Sequence, residues 1–140
     1  MSFSRRQTLA LMAGTGLSAM LGPRVALASA TDELIAKFTG GAEISGSGLT
    51  LTAPEIAENG NTVPIEVDAP GAEAILLLAT GNPSPEVGEF RFGPLAGAQM
   101  ASTRIRLAST QEVVAIAKMA DGSFARAAQE VKVTIGGCGG

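Results

Sequence analysis

Apolar residues recur at every second position in short runs, each closed off by Gly, Pro or Asn. That period of two restricts the fold more tightly than any other feature, because only a half-buried strand places alternate residues on one face. Leu49-Thr50-Leu51 opens the series. Val63, Ile65 and Val67 stand against Glu66 and Asp68, Phe90 and Phe92 share a face across Arg91, and Thr103, Ile105 and Leu107 share one across Arg104 and Arg106. Ile75-Leu76-Leu77-Leu78-Ala79 is apolar on both faces and bounded by Gly71 and by Gly81-Asn82-Pro83, which predicts a central strand buried on both faces. Val113 to Met119 and Phe124 to Ile135 follow, joined by the hairpin signal Asp121-Gly122. In the second of these, Val131, Val133 and Ile135 are expected inward, with Lys132 and Thr134 outward. Pro54 and Asn59-Gly60-Asn61 mark further turns, and Asn82-Pro83-Ser84-Pro85 reads as a rigid one. About seven strands at intervals of roughly 8–12 residues predict an all-β, immunoglobulin-like antiparallel β-sandwich, with a small barrel as the rival architecture. A short helix is expected to precede the strands, with Thr31 as its cap, Asp32 and Glu33 in its first turn, Leu34, Ile35 and Phe38 as its apolar edge, and Gly40-Gly41 as its stop.

The two ends of the chain are unlike the middle. Arg5 and Arg6 stand just ahead of a moderately apolar run from Leu9 to Leu21, interrupted by Gly14 and Gly16. That run is well short of the roughly 20 residues a permanent membrane helix needs. Ala26-Leu27-Ala28 and Ala28-Ser29-Ala30 each supply the small-x-small pattern of a signal-peptidase site. Residues 1–30 therefore resemble a twin-arginine signal peptide, the mature chain is expected to begin near Ser29 or Thr31, with Thr31 the favoured start, and the periplasm is the expected destination. Removing residues 1–30 of the 140 leaves 110, enough for one domain with its own core. The leader takes Arg5, Arg6 and Arg24 with it and none of the thirteen acids. The remaining seven basic residues give a formal charge of −6, which argues against nucleic acid or an anionic membrane as partner.

At the other end, Gly136-Gly137-Cys138-Gly139-Gly140 holds the only cysteine of the chain. Flanking glycines give the sulfur no neighbouring side chain to pack on, so residues 136–140 read as a flexible arm beyond a domain of residues 31–135. An ordinary thiol titrates near about 8.5 and needs a cation, a helix N-terminus or a base to become reactive at neutral pH. The chain contains no His, Tyr or Trp, which removes the Cys–His dyad and the commonest metal ligand. No catalytic residue, metal or cofactor is expected in the chain itself. Cys138 reads as an attachment point that other proteins service. Three readings compete with this one. An exported structural or adhesive module could dimerise through Cys138. A small thiol enzyme would lack both a resolving cysteine and an activating group. A diglycine conjugation tag would need nucleotide activation, which is out of place outside the cytoplasm.

The paired-arginine leader, the β-sandwich of about 110 residues and the terminal Gly-Gly-Cys-Gly-Gly together resemble the SoxY family, sulfur-carrier subunits of the bacterial thiosulfate-oxidising system. Asn61-Thr62-Val63-Pro64-Ile65, Asn82-Pro83 and Pro85 add weaker, ordered matches, so the resemblance covers the whole mature chain. It implies that Cys138 is joined to thiosulfate by a haem-containing enzyme. A hydrolase then releases sulfate, and in some systems a sulfur dehydrogenase oxidises the remaining sulfane. It also implies pairing with a SoxZ-like β-sandwich subunit.

Overall fold

The computed structural model describes residues 23–45 and 47–135, with side chains from residue 29 onward. One helix, α1 (Pro23–Thr39), precedes eight strands: β1 (Thr50–Thr52), β2 (Ile56–Ala57), β3 (Val63–Asp68), β4 (Ala72–Ala79), β5 (Glu86–Arg91), β6 (Met100–Ile105), β7 (Gln111–Met119) and β8 (Phe124–Val133). They form a three-stranded sheet, β1-β3-β6, facing a five-stranded sheet, β2-β8-β7-β4-β5. This is the expected sandwich, with one strand more than the sequence suggests. The addition is β2, which pairs with β8 in parallel, Ile56 opposite Lys132 and Ala57 opposite Val133, and is the one parallel pair between named strands. A two-residue strand carries no period of its own, and its partner lies far along the chain, so nothing local announces it.

Alternation does its work on β3, where Val63, Ile65 and Val67 are buried while Pro64 and Glu66 face solvent. Pro64 is tolerated near the middle of a sheet because β1 reaches only Glu66 to Asp68, so no β1 residue stands opposite the proline. Strands β4 and β7 are buried on both faces, as the unbroken apolar run of β4 predicts. Ile75, Leu77 and Ala79 of β4, with Val113, Ala115 and Ala117 of β7, join β3, Ile105, Leu107 and Val131 in the core between the sheets. Leu76, Leu78, Val114 and Ile116 point the other way, and the helix residues Leu34, Ile35 and Phe38 cover them together with Ile44 and Phe124. The Phe38 and Phe124 rings meet edge to face at 6.0 Å. The helix is thus the lid of a second, smaller core, which is why the outer face of a central sheet can be apolar at all. On the edge strand β5, Val87 is the extra residue of a bulge opposite Leu77 and Leu78, a device that blunts an exposed edge.

Two expectations are corrected. Thr31 does not cap the helix; α1 begins eight residues earlier, with Pro23 at its first position, and Thr31 lies buried within it at 5% exposure. Proline is pre-organised for that first turn and lacks the N–H that would be orphaned there. The predicted end holds: the Thr39 hydroxyl donates to the Ile35 carbonyl, and Gly40 and Gly41 turn the chain with φ of 65° and 84°. Ile135 is not inward. The strand ends at Val133, and Ile135 is 67% exposed.

Candidate functional site

The site that the sequence singles out follows β8 in the chain. That strand lies inside the five-stranded sheet, antiparallel to β7 along Gln111–Lys118 and parallel to β2 at its last residues. Its final turn of pairing is bonded from several sides. Lys132 N–H donates to the Glu55 carbonyl at 2.9 Å, and Thr134 N–H to the Ala57 carbonyl at 3.1 Å. The Thr134 hydroxyl donates to the Glu58 carbonyl at 3.1 Å, and Val133 N–H to the Thr110 hydroxyl at 2.9 Å. The last bond comes from Gly60, whose N–H donates to the Ile135 carbonyl at 2.8 Å while its own carbonyl accepts from Leu107 at 2.7 Å. Gly60 therefore ties the chain end to the β6–β7 connection. The segment read as the Asn59-Gly60-Asn61 turn serves as the clamp on the tail, a role with no sequence signal because it depends on register between distant strands.

Cys138 and the glycines Gly136, Gly137, Gly139 and Gly140 lie outside the described residues, as do Arg5 and Arg6 of the leader. Cys138 is three positions beyond the clamped Ile135, a span of roughly 10 Å at full extension. Around the point of departure stand Glu55, Glu58, Thr134 and Lys132, all exposed, and Ile56, an apolar side chain 58% exposed at the edge of the sheet.

A second polar cluster organises the same end of the sandwich. Asn82, only 6% exposed, donates to the Arg106 carbonyl at 2.7 Å and accepts from Ala108 N–H and from Gln111 Nε2, both at 2.9 Å. Gln111 returns a bond through Oε1, accepting from Gly81 N–H at 2.9 Å. A Cβ at Gly81 would stand 2.8 Å from the Cβ of Gln111, so the close approach requires glycine. The rigid turn Asn82-Pro83-Ser84-Pro85 is thus a cross-link between the β4–β5 and β6–β7 connections. Arg104 on β6 and Arg106, one residue beyond its end, are both exposed on either side of buried Ile105.

A surface cleft of about 590 Å³ lies between α1 and the β4–β5 side of the sheet, lined by Leu34, Lys37, Phe38, Glu73, Arg91 and Lys118 among others. Glu73 is the second residue of β4 and Lys118 the second-last of β7, at the end of those strands away from β8's C-terminus, and Glu86 at the start of β5 lines the cleft's other end. Among the described residues no group of three or more His, Cys, Asp or Glu is placed to hold a metal ion, and no helix is long and apolar enough to cross a membrane.

The described residues define an immunoglobulin-like β-sandwich whose last strand is hydrogen-bonded up to Ile135, where the described chain ends. The family model for the sulfur oxidation protein SoxY matches residues 35–138, a span that ends on the cysteine. The solved structure of the sulfur carrier protein SoxY from Chlorobium limicola f thiosulfatophilum superposes with a TM-score of 0.67 at 40% identity, covering 77% of this chain and 99% of that one. The chain belongs to the SoxY family. Among curated proteins nothing matches. A superoxide reductase (neelaredoxin) from Ignicoccus hospitalis shares the fold alone, with a TM-score of 0.55 and 20% identity over 69% of this chain and 91% of that one. A hypothetical protein from Pyrococcus horikoshii OT3 does likewise, with 0.53 and 14% over 69% and 98%.

Proposed function

We propose that this protein is a periplasmic sulfur carrier that holds thiosulfate-derived sulfur covalently on Cys138 while partner enzymes load, oxidise and hydrolyse it. The observation that carries the reading is the clamp: the chain is bonded to Gly60 at Ile135, three residues before the thiol. A sulfur so placed extends from a fixed base and can be offered to one active site after another. SoxY-family membership brings Sox-system partners such as SoxZ into the same reading.

In the loading step the Cys138 sulfur bonds to the terminal sulfur of thiosulfate. The thiol proton is released, and two electrons pass to the haem-containing partner. Water then cleaves the bond to the sulfone sulfur, giving sulfate and leaving a persulfide on the cysteine. A dehydrogenase, where present, oxidises that sulfane before a second hydrolysis restores the thiol. The carrier contributes tethering: a bound sulfane cannot diffuse away, and each enzyme meets it at high effective concentration. Export through the twin-arginine route, with Arg5 and Arg6 as its signal, suits a carrier that folds first, because that route accepts folded cargo and can take a bound SoxZ-like partner along.

Replacing the thiol by a hydroxyl tests this. Cys138→Ser is expected to melt at the wild-type temperature, since nothing in the clamp involves the side chain, and to leave a thiosulfate-oxidising cell unable to use the carrier. Sulfur oxidation at the normal rate with the serine variant would contradict the proposal.

A further inference from the structure

Two adjacent small-x-small triplets, Ala26-Leu27-Ala28 and Ala28-Ser29-Ala30, offer two scissile bonds, and the fold treats them differently. Helix α1 runs through both, from Pro23 to Thr39. At the second triplet the helix meets the domain: Ser29 is exposed, Ala30 is half-buried and Thr31 is buried on the inward face, while Asp32 and Glu33 face solvent. Ala30 lies in a cleft with Glu33, Ser84, Pro85 and Glu86, against the β4–β5 turn. One helical turn on, Leu34 and Ile35 cover the outer face of β4 and β7. The folded domain therefore begins at residue 30 or 31, ahead of the apolar contacts that hold the helix down.

A peptidase binds the residues flanking the scissile bond in extended form, so the first residue after the bond must leave the helix. For cleavage after Ala30 that residue is Thr31, which would have to be pulled out of the domain. The product would carry an ammonium on a buried residue at the positive end of a helix, where desolvation and the helix dipole both oppose it. Cleavage after Ala28 asks only that exposed Ser29 unwind. The new ammonium stays in water, with Glu33 one helical turn along. Ser29 takes the N-cap position with Asp32 three residues on, the Ser-x-x-Asp pattern of a capping box, and Asp32 and Glu33 both fall in the first turn.

We propose that the bond hydrolysed on maturation is Ala28–Ser29, two residues upstream of a start at Thr31. Water adds across that peptide bond, leaving a carboxylate on Ala28 and an ammonium on Ser29. The inference rests on the export reading, and the experiment separates the two. The full-length chain is expressed in a bacterial host with a working twin-arginine pathway, cell fractions are separated, and the intact mass of the chain is measured in each. The expected periplasmic species begins at Ser29, heavier by one Ser and one Ala residue than a chain beginning at Thr31. Ala26→Gln, which spoils only the first triplet, is expected to accumulate uncleaved precursor several-fold, and Ala30→Gln to leave the start at Ser29. A wild-type chain starting at Thr31, or Ala26→Gln cleaved after Ala30 at the wild-type rate, would overturn the inference while export stands. A chain kept whole in the cytoplasm would overturn the export reading and this inference with it.

Discussion

Asn82 does more than its position in a proline-rich turn suggests. Its side chain satisfies one acceptor and two donors from the β6–β7 connection, and nothing else in the described residues bonds those two connections so densely. Asn82→Ala would strip partners from buried groups without replacing them with water, so a loss of about 2–3 kcal/mol in denaturant unfolding is expected, with thiol chemistry at Cys138 unaffected. The turn was legible in the sequence; the network was not, because it depends on which backbone the fold brings alongside. Asp121 at the β7–β8 hairpin is the opposite case, local and readable. Its carboxylate accepts from the Ser123 hydroxyl at 2.6 Å and from Ser123 N–H at 2.8 Å. Those bonds, the hydroxyl first, hold its pKa below the ordinary aspartate value. Since the folded-state value is the lower one, its support of the hairpin is complete above the unfolded aspartate range and is lost as pH falls through the folded value. The protection of the Ser123 amide, its exchange measured against the intrinsic rate at each pH, is expected to fall over that acidic window in the wild type and to show no such step in Asp121→Ala. Ile135 marks where alternation misleads: the apolar period continues past Val133, but the partner strands do not.

Among the elements, β4 and α1 explain each other. Six consecutive apolar residues in β4, Ala74 to Ala79, require cover on both faces, and the helix supplies the second cover through Leu34, Ile35 and Phe38. Phe38→Ala would remove the edge-to-face contact with Phe124 and open a hole over Leu76 and Val114. A loss of roughly 2–3 kcal/mol is expected, less than for a fully buried Phe because Phe38 is half-exposed. Thermal unfolding of that variant checks it, and an unchanged midpoint would mean the helix is not held where it lies. The double burial and most strands could be read from periodicity, since each strand's own residues carry the signal. The helix start could have been read from Pro23, but the capping chemistry of Thr31-Asp32-Glu33 points to a later one. The strand β2 could not be read, having two residues and a parallel partner far along the chain. Yet β2, with Gly60 beyond it, fixes the base of the tail.

For the molecule as a whole, the division is between a sandwich whose bonds converge on the last strand and a terminal segment bearing the only sulfur nucleophile. The thiol was legible at once, because one cysteine among four glycines has few other uses. The clamp that sets its origin needed three dimensions. The central claim is that sulfur intermediates reside on Cys138. The chain should be isolated from cells oxidising thiosulfate and its C-terminal peptide measured by mass spectrometry without reductant. The account predicts sulfane and thiosulfonate additions on the peptide containing Cys138, and none when the same cells express Cys138→Ser. Material consisting only of free thiol and Cys138-linked disulfide dimer, under active thiosulfate oxidation, would contradict it and favour a structural module that dimerises through its cysteine.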